Sequence, residues 1–210
     1  MKYIDEPLIK YIEDASSGNP TPGGGSIAGM TGALAASMCN MVCNFTIGKK
    51  AYLNVEEKVR SIFEQSTALM KELLNLTVED TEVYSLVSEA YCLPKNTDEE
   101  KKVRGARIQD ACKKALSVPE KIMEKAYTLL TLLEELVDKG NKNLITDTGV
   151  SALLSAAAID AAVLNIKINL KFINDQDFVQ SKEKRIAEIK EDYLTKRDII
   201  MNKVNQLIEK

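Results

Sequence analysis

The sequence contains no histidine and no tryptophan, and only 5% of its residues are aromatic. Without histidine, acid–base chemistry near neutral pH must come from Asp, Glu, Lys, Tyr or Cys side chains with shifted pKa values. The 4 cysteines do not match a zinc-binding spacing. We therefore expect no metal site, and we expect the thiols to serve mainly as small hydrophobic side chains.

An excess of charge of one sign is also missing. The 28 basic and 31 acidic residues are interspersed and leave a net charge of -3, which argues against a nucleic-acid partner or a membrane surface. The apolar run over residues 26–48 has the length of a membrane span. Polar residues interrupt it, so a helix packed among other helices fits better. No signal-peptide pattern is present, and we expect a cytoplasmic protein with a single domain over residues 1–210.

Strand signals are nearly absent, whereas helical periodicity runs through almost the whole chain. The pattern predicts an all-α, up-and-down helical bundle. Its central helices are the two apolar segments, 26–47 and 150–170. Both are difficult to cover completely, so we expect a two-fold homodimer. The predicted helices lie at about 4–15, 26–47, 54–91, 97–116, 119–139, 150–170 and 179–208, with a capping box at Thr97 and Glu100 and a C-cap at Gly140.

Asp80 interrupts the apolar stripe of the third predicted helix. The stripe follows a spacing of three and four residues, which places its members on one helix face. An ionised carboxylate on such a face is costly unless it is paired, so its pKa should rise. That property suits a general acid or base, and Tyr84 lies one turn further along. The alternative is a buried Asp80 that is bonded to a neighbouring helix or a lysine.

A glycine-rich loop precedes the first apolar helix. Two asparagines lie within that helix, and two lysines follow at its end. Consecutive glycines allow the backbone to approach a ligand closely, and a helix that starts at Ser26 directs free N–H groups at the loop. Asn40 and Asn44 would be buried amides that need a ligand or a neighbouring backbone. Lys49 and Lys50 either meet a ligand or complement the helix dipole.

Two further acids flank or interrupt the second apolar helix. Asp147 is either an N-cap of that helix or a binding residue in an unusually polar loop. Asp160 interrupts the apolar run, and a partner such as Lys167 or a neighbouring helix would account for it.

Several stretches, taken in order, cover essentially the whole chain. They are residues 20–26, 41–50, Asp80 with Tyr84, 93–95, 97–101, Gln109, 140–144 with Asp147, and 164–170. Together they resemble the cyclodeaminase/cyclohydrolase family of folate enzymes, which comprises the C-terminal domain of formiminotransferase-cyclodeaminase and the stand-alone bacterial methenyltetrahydrofolate cyclohydrolases. The chain is too short for a formiminotransferase domain, so it looks like the stand-alone type. The resemblance implies an all-helical homodimer that binds folate, which is sometimes polyglutamylated, near the loop and the dimer interface.

The resemblance also implies the chemistry of the site. Water adds to the methenyl carbon of 5,10-methenyltetrahydrofolate, and the bond to N5 then breaks to give 10-formyltetrahydrofolate. On that basis Asp80, Lys49 and Asp147 are the candidate catalytic residues, as base, acid and holder of the pterin edge. The expected substrate-binding residues are Gly23, Gly24, Gly25, Ser26, Asn44, Lys50, Tyr84 and Asn143. We expect no cofactor beyond the folate substrate.

Two alternatives remain open from the sequence. Formiminotetrahydrofolate cyclodeamination, which releases ammonia, needs the same carbon and the same pocket. The second alternative is a non-catalytic helical dimer that acts as a scaffold or binds folate. A pocket filled by apolar side chains, or an Asp80 in a salt bridge, would favour that reading.

Overall fold

The computed structural model describes residues 3–209, which contain six α-helices and no β-strand. The prediction of an all-α fold is therefore confirmed for this part of the chain. Short 3-10 turns lie at Tyr3–Asp5, Lys50–Val55 and Lys142–Leu144. The helices are α1 (Leu8–Ala15), α2 (Gly24–Thr46), α3 (Glu56–Cys92), α4 (Asp98–Lys139), α5 (Ile145–Leu170) and α6 (Gln176–Ile208).

Successive long helices run in alternating directions, as an up-and-down bundle requires. Side-chain bonds fix the register between α2 and α3, because Asn40 pairs with Ser66 whereas Ser26 pairs with Thr77. Helices α4 and α6, which are separated by α5 in the chain, are parallel. The ion pairs between α4 and α6 join residues that are a nearly constant 61 to 65 positions apart.

Helix α4 continues through Pro119, so the prediction of two separate helices in this region is wrong. A proline inside a helix removes a backbone hydrogen bond and costs about 3 kcal/mol. Here the residues on both sides of Pro119, including Leu116 and Ile122, are completely buried. That packing holds the helix together across the proline. The predicted capping box at Thr97 and the C-cap at Gly140 are confirmed.

The two apolar helices begin earlier than predicted. Helix α2 starts at Gly24 with Gly23 as its N-cap, rather than at Ser26. Helix α5 starts at Ile145, because the preceding 3-10 turn leads directly into it. Asp147 therefore lies in the first turn of α5 and is not its N-cap.

Helices α2 and α5 pack antiparallel against each other, and Ser151 donates a hydrogen bond to the carbonyl of Ala35. Each helix also leaves one apolar stripe exposed. Because both helices rest on α4, their uncovered sides face the same way and form one surface, which we call the α2–α5 face. Its large exposed side chains are Ile27, Leu34 and Phe45 of α2 and Val150, Leu153, Leu164 and Ile168 of α5.

By length and composition alone, α2 and the segment Lys142–Leu170 could each cross a membrane. The apolar stretch of α2 is 61% buried inside the bundle, and the apolar stretch of Lys142–Leu170 is 50% buried. The structure therefore places both segments as packing helices, each with one uncovered side.

Candidate active site

A cleft of about 730 Å³ opens where the start of α2 meets the second half of α3 and the end of α5. The loop before α2 closes one end of the cleft, and Cys112 and Ala115 of α4 form its floor. Its volume falls in the range of small-molecule sites. The residues that line its walls are Pro20, Thr21, Gly23, Gly24, Gly25, Asp80, Val83, Tyr84, Val87, Ser88, Tyr91, Asn165, Ile168, Asn169 and Phe172.

The Asp80 carboxylate lies against the N-terminal turn of α2. A Cβ atom on Gly25 would lie only 2.1 Å from its Oδ1 atom, so this contact requires glycine. Burial raises the pKa of the Asp80 carboxyl, and the backbone N–H of Ser26 offsets part of that rise. The predicted half-buried acid with a raised pKa is therefore present in the cleft, and it belongs to no ion pair within residues 3–209.

The turn of α2 beneath Asp80 is held from two sides. The hydroxyl of Ser26 donates to the carbonyl of Thr77 on α3 and accepts from the hydroxyl of Tyr11 on α1, with both distances at 2.9 Å. Ser26 is completely buried. Its side chain is thus fully used inside the protein, so the prediction that Ser26 binds the substrate can only concern its backbone.

The remaining predicted residues of this group line the cleft. Gly23, which is the N-cap of α2, and Gly24 and Gly25 of its first turn form one wall, and Tyr84 projects from α3 one turn after Asp80. Sequence reasoning missed Asn165, Tyr91 and Phe172. Asn165 and Asn169 repeat the one-turn amide spacing that drew attention to Asn40 and Asn44, so a signal for them was present.

The other predicted residues lie at the opposite end of the bundle. They are Asn44 in the last turn of α2 with Lys49 and Lys50 after it, and Asn143 in the 3-10 turn before α5 with Asp147 in the first turn of that helix. These two segments are joined, because the backbone N–H of Asn141 donates to Thr46 Oγ1 and its side-chain amide donates to the Phe45 carbonyl, both at 2.9 Å. We call this second group the Lys49 cluster.

The two groups are separated by the length of α2. At 1.5 Å per residue the helix spans about 35 Å, so one protomer cannot apply Asp80 and Lys49 to the same carbon atom. A general acid or base must come within hydrogen-bonding reach of the atom it protonates or deprotonates. The predicted set of site residues therefore divides into two halves within one chain.

Two amides that were predicted to be buried behave differently. Asn40 is buried and accepts a hydrogen bond from Ser66 of α3, so it serves helix packing. Asn44 is exposed at the end of α2, so its predicted burial is wrong. The helix turns it outward together with Phe45, onto the rim of the α2–α5 face. It remains available to a ligand there.

Asp160 has a partner on a neighbouring helix, as one of the predicted alternatives proposed. The hydroxyl of Tyr193 on α6 donates to its Oδ1 atom at 2.5 Å. Burial, followed by this bond, raises the pKa of Tyr193. Asp160 is thus used to hold α6.

The sequence model of the formiminotransferase-cyclodeaminase family matches residues 7–188 of the chain. The chain belongs to the formiminotransferase-cyclodeaminase family. The matched region includes both the cleft and the Lys49 cluster.

Similar proteins within this family have two different names. The chain is 39% identical over 182 residues to a methenyltetrahydrofolate cyclohydrolase from Methylorubrum extorquens, covering 87% of this chain and 88% of that protein. It is 28% identical to the mouse formimidoyltransferase-cyclodeaminase over 94% of this chain, but it spans only 37% of that longer protein. A crystal structure of formiminotetrahydrofolate cyclodeaminase from Thermotoga maritima superimposes with a TM-score of 0.87 at 30% identity, covering 97% and 98% of the two chains.

The charge of the cleft favours a positively charged ligand. Within residues 3–209, Asp80 is the only charged side chain that lines the cleft, and no group of three or more acidic or cysteine side chains is placed to hold a metal ion. A carboxylate in a partly dehydrated cleft attracts a cation strongly and is well placed to accept a proton from water. The cleft therefore holds one carboxylate that is suited to attract a cation or to accept a proton.

Proposed function

We propose that this protein hydrolyses 5,10-methenyltetrahydrofolate to 10-formyltetrahydrofolate. The observation that carries the proposal is the Asp80 carboxylate, which lies half-buried in an open cleft with no cationic partner among the described residues. The relative from Methylorubrum extorquens, which carries this name and matches nearly end to end, supports the same reaction. The folate is the substrate, and the proposal needs no further cofactor.

The reaction can be written around Asp80. The substrate carries one positive charge over N5, N10 and the carbon between them, and the carboxylate stabilises that cation. Asp80 accepts a proton as water adds to the carbon, which gives a neutral tetrahedral adduct. The hydroxyl of the adduct then loses its proton as the carbon–oxygen double bond forms, the bond from this carbon to N5 breaks, and N5 takes up a proton, so the formyl group stays on N10. One proton is released overall.

Replacement of Asp80 tests this role directly. We expect Asp80→Asn to lower kcat by about 10²- to 10⁴-fold, the usual contribution of a general base. The loss of methenyltetrahydrofolate absorbance measures the rate. Glu79→Gln is the matched control, because this neighbouring carboxylate pairs with Lys121 outside the cleft. An Asp80→Asn protein that folds and keeps full activity would exclude Asp80 as the base.

Formiminotetrahydrofolate cyclodeamination is the second candidate function. The likeness to the Thermotoga maritima structure favours it, since that protein carries the name of this activity. Both reactions pass through the same cyclic carbon and use the same cleft. Ammonia release from formiminotetrahydrofolate, measured beside the hydrolysis of methenyltetrahydrofolate, separates the two activities. If the protein catalyses neither reaction, the non-catalytic folate-binding or scaffold alternative takes their place.

We further propose that the active form is a homodimer assembled through the α2–α5 face. The exposed stripe runs along both helices from the cleft end, at Ile27 and Ile168, to the opposite end, at Phe45 and Val150. A two-fold axis perpendicular to these helices would bring the cleft of one protomer to the Lys49 cluster of its partner. Such a dimer supplies the acid and the pterin-binding carboxylate that the cleft of one chain lacks.

In this arrangement Lys49 of one protomer acts as the acid that protonates N5 in the cleft of the other. Asp147 binds the paired donors on the pterin edge, as a carboxylate does well, while Asn44 and Asn143 bond to the ring. Lys50 and the backbone of Gly23, Gly24 and Gly25 bind the substrate around the reacting carbon. The chain acts as one domain in a cytoplasmic enzyme.

Mixed dimers distinguish a shared site from a site within one chain. Asp80→Asn and Lys49→Gln should each be nearly inactive alone. In mixed dimers of the two variants, one of the two shared sites contains both native residues, so random mixing should restore about a quarter of the wild-type activity. If Asp80 and Lys49 acted within the same chain, mixing would restore nothing.

A further inference from the structure

Three aromatic side chains line the part of the cleft that extends beyond Asp80, along α3 and past the end of α5. Tyr84, Tyr91 and Phe172 are 48%, 44% and 51% exposed, although they line a concave site. The chain has only 7 tyrosines and 4 phenylalanines, so their grouping here is unusual. We call these three residues the aromatic mouth. Exposed aromatic side chains in a cleft offer flat apolar surfaces on which a planar ring can stack.

The aromatic mouth is held in place by polar side chains of α4. The guanidinium of Arg104 donates to the carbonyl of Tyr91 at 3.1 Å and lies 5.5 Å from the centre of its ring. The Gln109 amide donates to the carbonyl of Phe172 at 2.8 Å and accepts from the backbone N–H of Asn174 at 2.7 Å. One helix thus fixes the backbone of two aromatic residues that come from different segments.

The backbone around Phe172 has further anchors. This residue lies in the short connection between α5 and α6, where the next side chain, Ile173, is buried. Lys113 of α4 forms an ion pair with Asp175 at 2.7 Å at the end of the same connection. The connection is therefore fixed to α4 at both ends, and the exposed ring of Phe172 faces the cleft from a rigid backbone.

We propose that the aromatic mouth binds the p-aminobenzoyl ring of the folate, and that Gln109 is a positioning residue that acts through Phe172. This inference rests on the proposed function. The p-aminobenzoyl ring is bonded to N10, which is attached to the carbon that faces Asp80, so the two groups must be neighbours. Tyr84 follows Asp80 by one turn of α3, and Tyr91 lies about 16 Å beyond Asp80 at 1.5 Å per residue. The ring and the chain that follows it thus extend along α3 away from the glycine loop.

The lining of the mouth favours this ring over the pterin. A pterin presents several hydrogen-bond donors and acceptors along one edge, which require matching polar groups. Beside the aromatic rings, Val87 and Ile168 add apolar surface, and the polar side chains of these segments that line the cleft are the neutral Ser88 and Asn169. A benzene ring needs stacking surface and little hydrogen bonding, which is what these side chains provide.

Two substrates test the assignment. One is 5,10-methenyltetrahydrofolate, and the other is the methenyl compound made from 6-(methylaminomethyl)tetrahydropterin, in which a methyl group replaces the benzoylglutamate on N10. We expect Phe172→Leu and Tyr91→Leu to raise KM for the folate about tenfold with little change in kcat. The kcat/KM for the truncated substrate should change less than about twofold. Equal losses on both substrates, or no loss on either, would overturn the proposal.

Binding of p-aminobenzoylglutamate, measured by calorimetry, supplies a readout that needs no catalysis. The wild-type protein should bind this fragment, Phe172→Tyr should retain binding, and Phe172→Leu should weaken it about tenfold. If the fragment binds in this pattern but neither folate reaction occurs, the proposed function is wrong, whereas the assignment of the aromatic mouth to the p-aminobenzoyl ring is retained. If hydrolysis occurs but the fragment binds equally well to the wild type and to Phe172→Leu, the assignment of the aromatic mouth is wrong, whereas the proposed function is retained.

The role of Gln109 is tested through a double variant. Gln109→Met keeps the length of the side chain but removes both hydrogen bonds to the connection, so KM should rise while kcat remains. If Gln109 acts through Phe172, the double variant Gln109→Met/Phe172→Leu should have nearly the same KM as Phe172→Leu alone. Additive increases in KM would show that Gln109 acts elsewhere.

Discussion

At the scale of single residues, the acid and the glycine beneath it form one unit. Asp80 could be identified from the sequence because a carboxylate in an apolar helical stripe breaks a clear pattern. The glycines also attracted attention, but only the structure shows why one of them matters most. Gly25 leaves the space that the Asp80 carboxylate occupies. A contact between residues so far apart in the chain has no periodic signature, so the sequence pattern alone could not predict it.

Gly25→Ala should therefore displace the Asp80 carboxylate while leaving its chemical structure unchanged. The new Cβ atom would lie 2.1 Å from Oδ1, so the carboxylate must move and the proposed base would lose its position. We expect kcat to fall about 10²-fold, within the range that a positioned base contributes. Gly105→Ala is the control, because a Cβ atom there meets nothing within 4 Å. Unchanged kinetics in Gly25→Ala would show that the contact is dispensable.

The pH dependence of activity and stability should also depend on Asp80. Because burial raises its pKa, kcat/KM should decline on the acid side at a pH above the ordinary aspartate value of about 3.9. The folded protein binds this proton more tightly than the unfolded chain, so Asp80 lowers stability as the pH rises through its folded pKa. Asp80→Asn should thus raise the free energy of unfolding at pH 7, and the gain should shrink towards pH 4. Urea unfolding at both pH values measures it, and a loss of stability at pH 7 would contradict the assignment.

At the scale of helices, the sequence predicted most of what periodicity can show. The five long helical regions, the capping box at Thr97 and the C-cap at Gly140 follow from local patterns. The continuity of α4 through Pro119 and the early start of α5 do not, because packing between helices decides both. The same limit applies to Gln109, since its hydrogen bonds reach residues more than sixty positions away in the chain.

The close contact of α2 with α3 depends on a second glycine. A Cβ atom on Gly29 would lie 2.8 Å from Thr77 Oγ1 and 3.1 Å from its backbone nitrogen. Gly29→Ala should push the two helices apart and cost about 1–3 kcal/mol of folding free energy. Gly105→Ala, in the open part of α4, should instead stabilise the protein by about 0.5–1 kcal/mol. Chemical denaturation of both variants measures the contrast, and equal shifts would refute the packing argument.

At the scale of the whole molecule, the division of the predicted site is the main finding. The sequence suggested one set of eleven site residues, and the structure places six of them at the cleft and five at the opposite end of the bundle. The pattern could not reveal this division, because it depends on the antiparallel pairing of α2 and α5. The same pairing produces the α2–α5 face, whose stripe reaches both halves.

A charge in the centre of this face should separate the protomers. Leu34 is 52% exposed midway along α2, so Leu34→Glu would bury a carboxylate in the proposed interface. We expect a folded monomer with little activity, whereas Val103→Glu, at an exposed position on α4, should remain dimeric and active. Analytical ultracentrifugation and the hydrolysis assay report the two properties. A wild-type protein that is monomeric at micromolar concentration and fully active would contradict the dimer.

The hydrogen bond from Tyr11 to Ser26 has a practical consequence for work with this protein. It ties an eight-residue helix near the start of the chain to the turn that supports Asp80. A protease that cleaves off the first fifteen residues would remove a support of the proposed reaction centre while leaving the large helices intact. Preparations trimmed in this way should keep their helical circular dichroism and lose turnover, so intact mass should be checked before any sample is judged inactive.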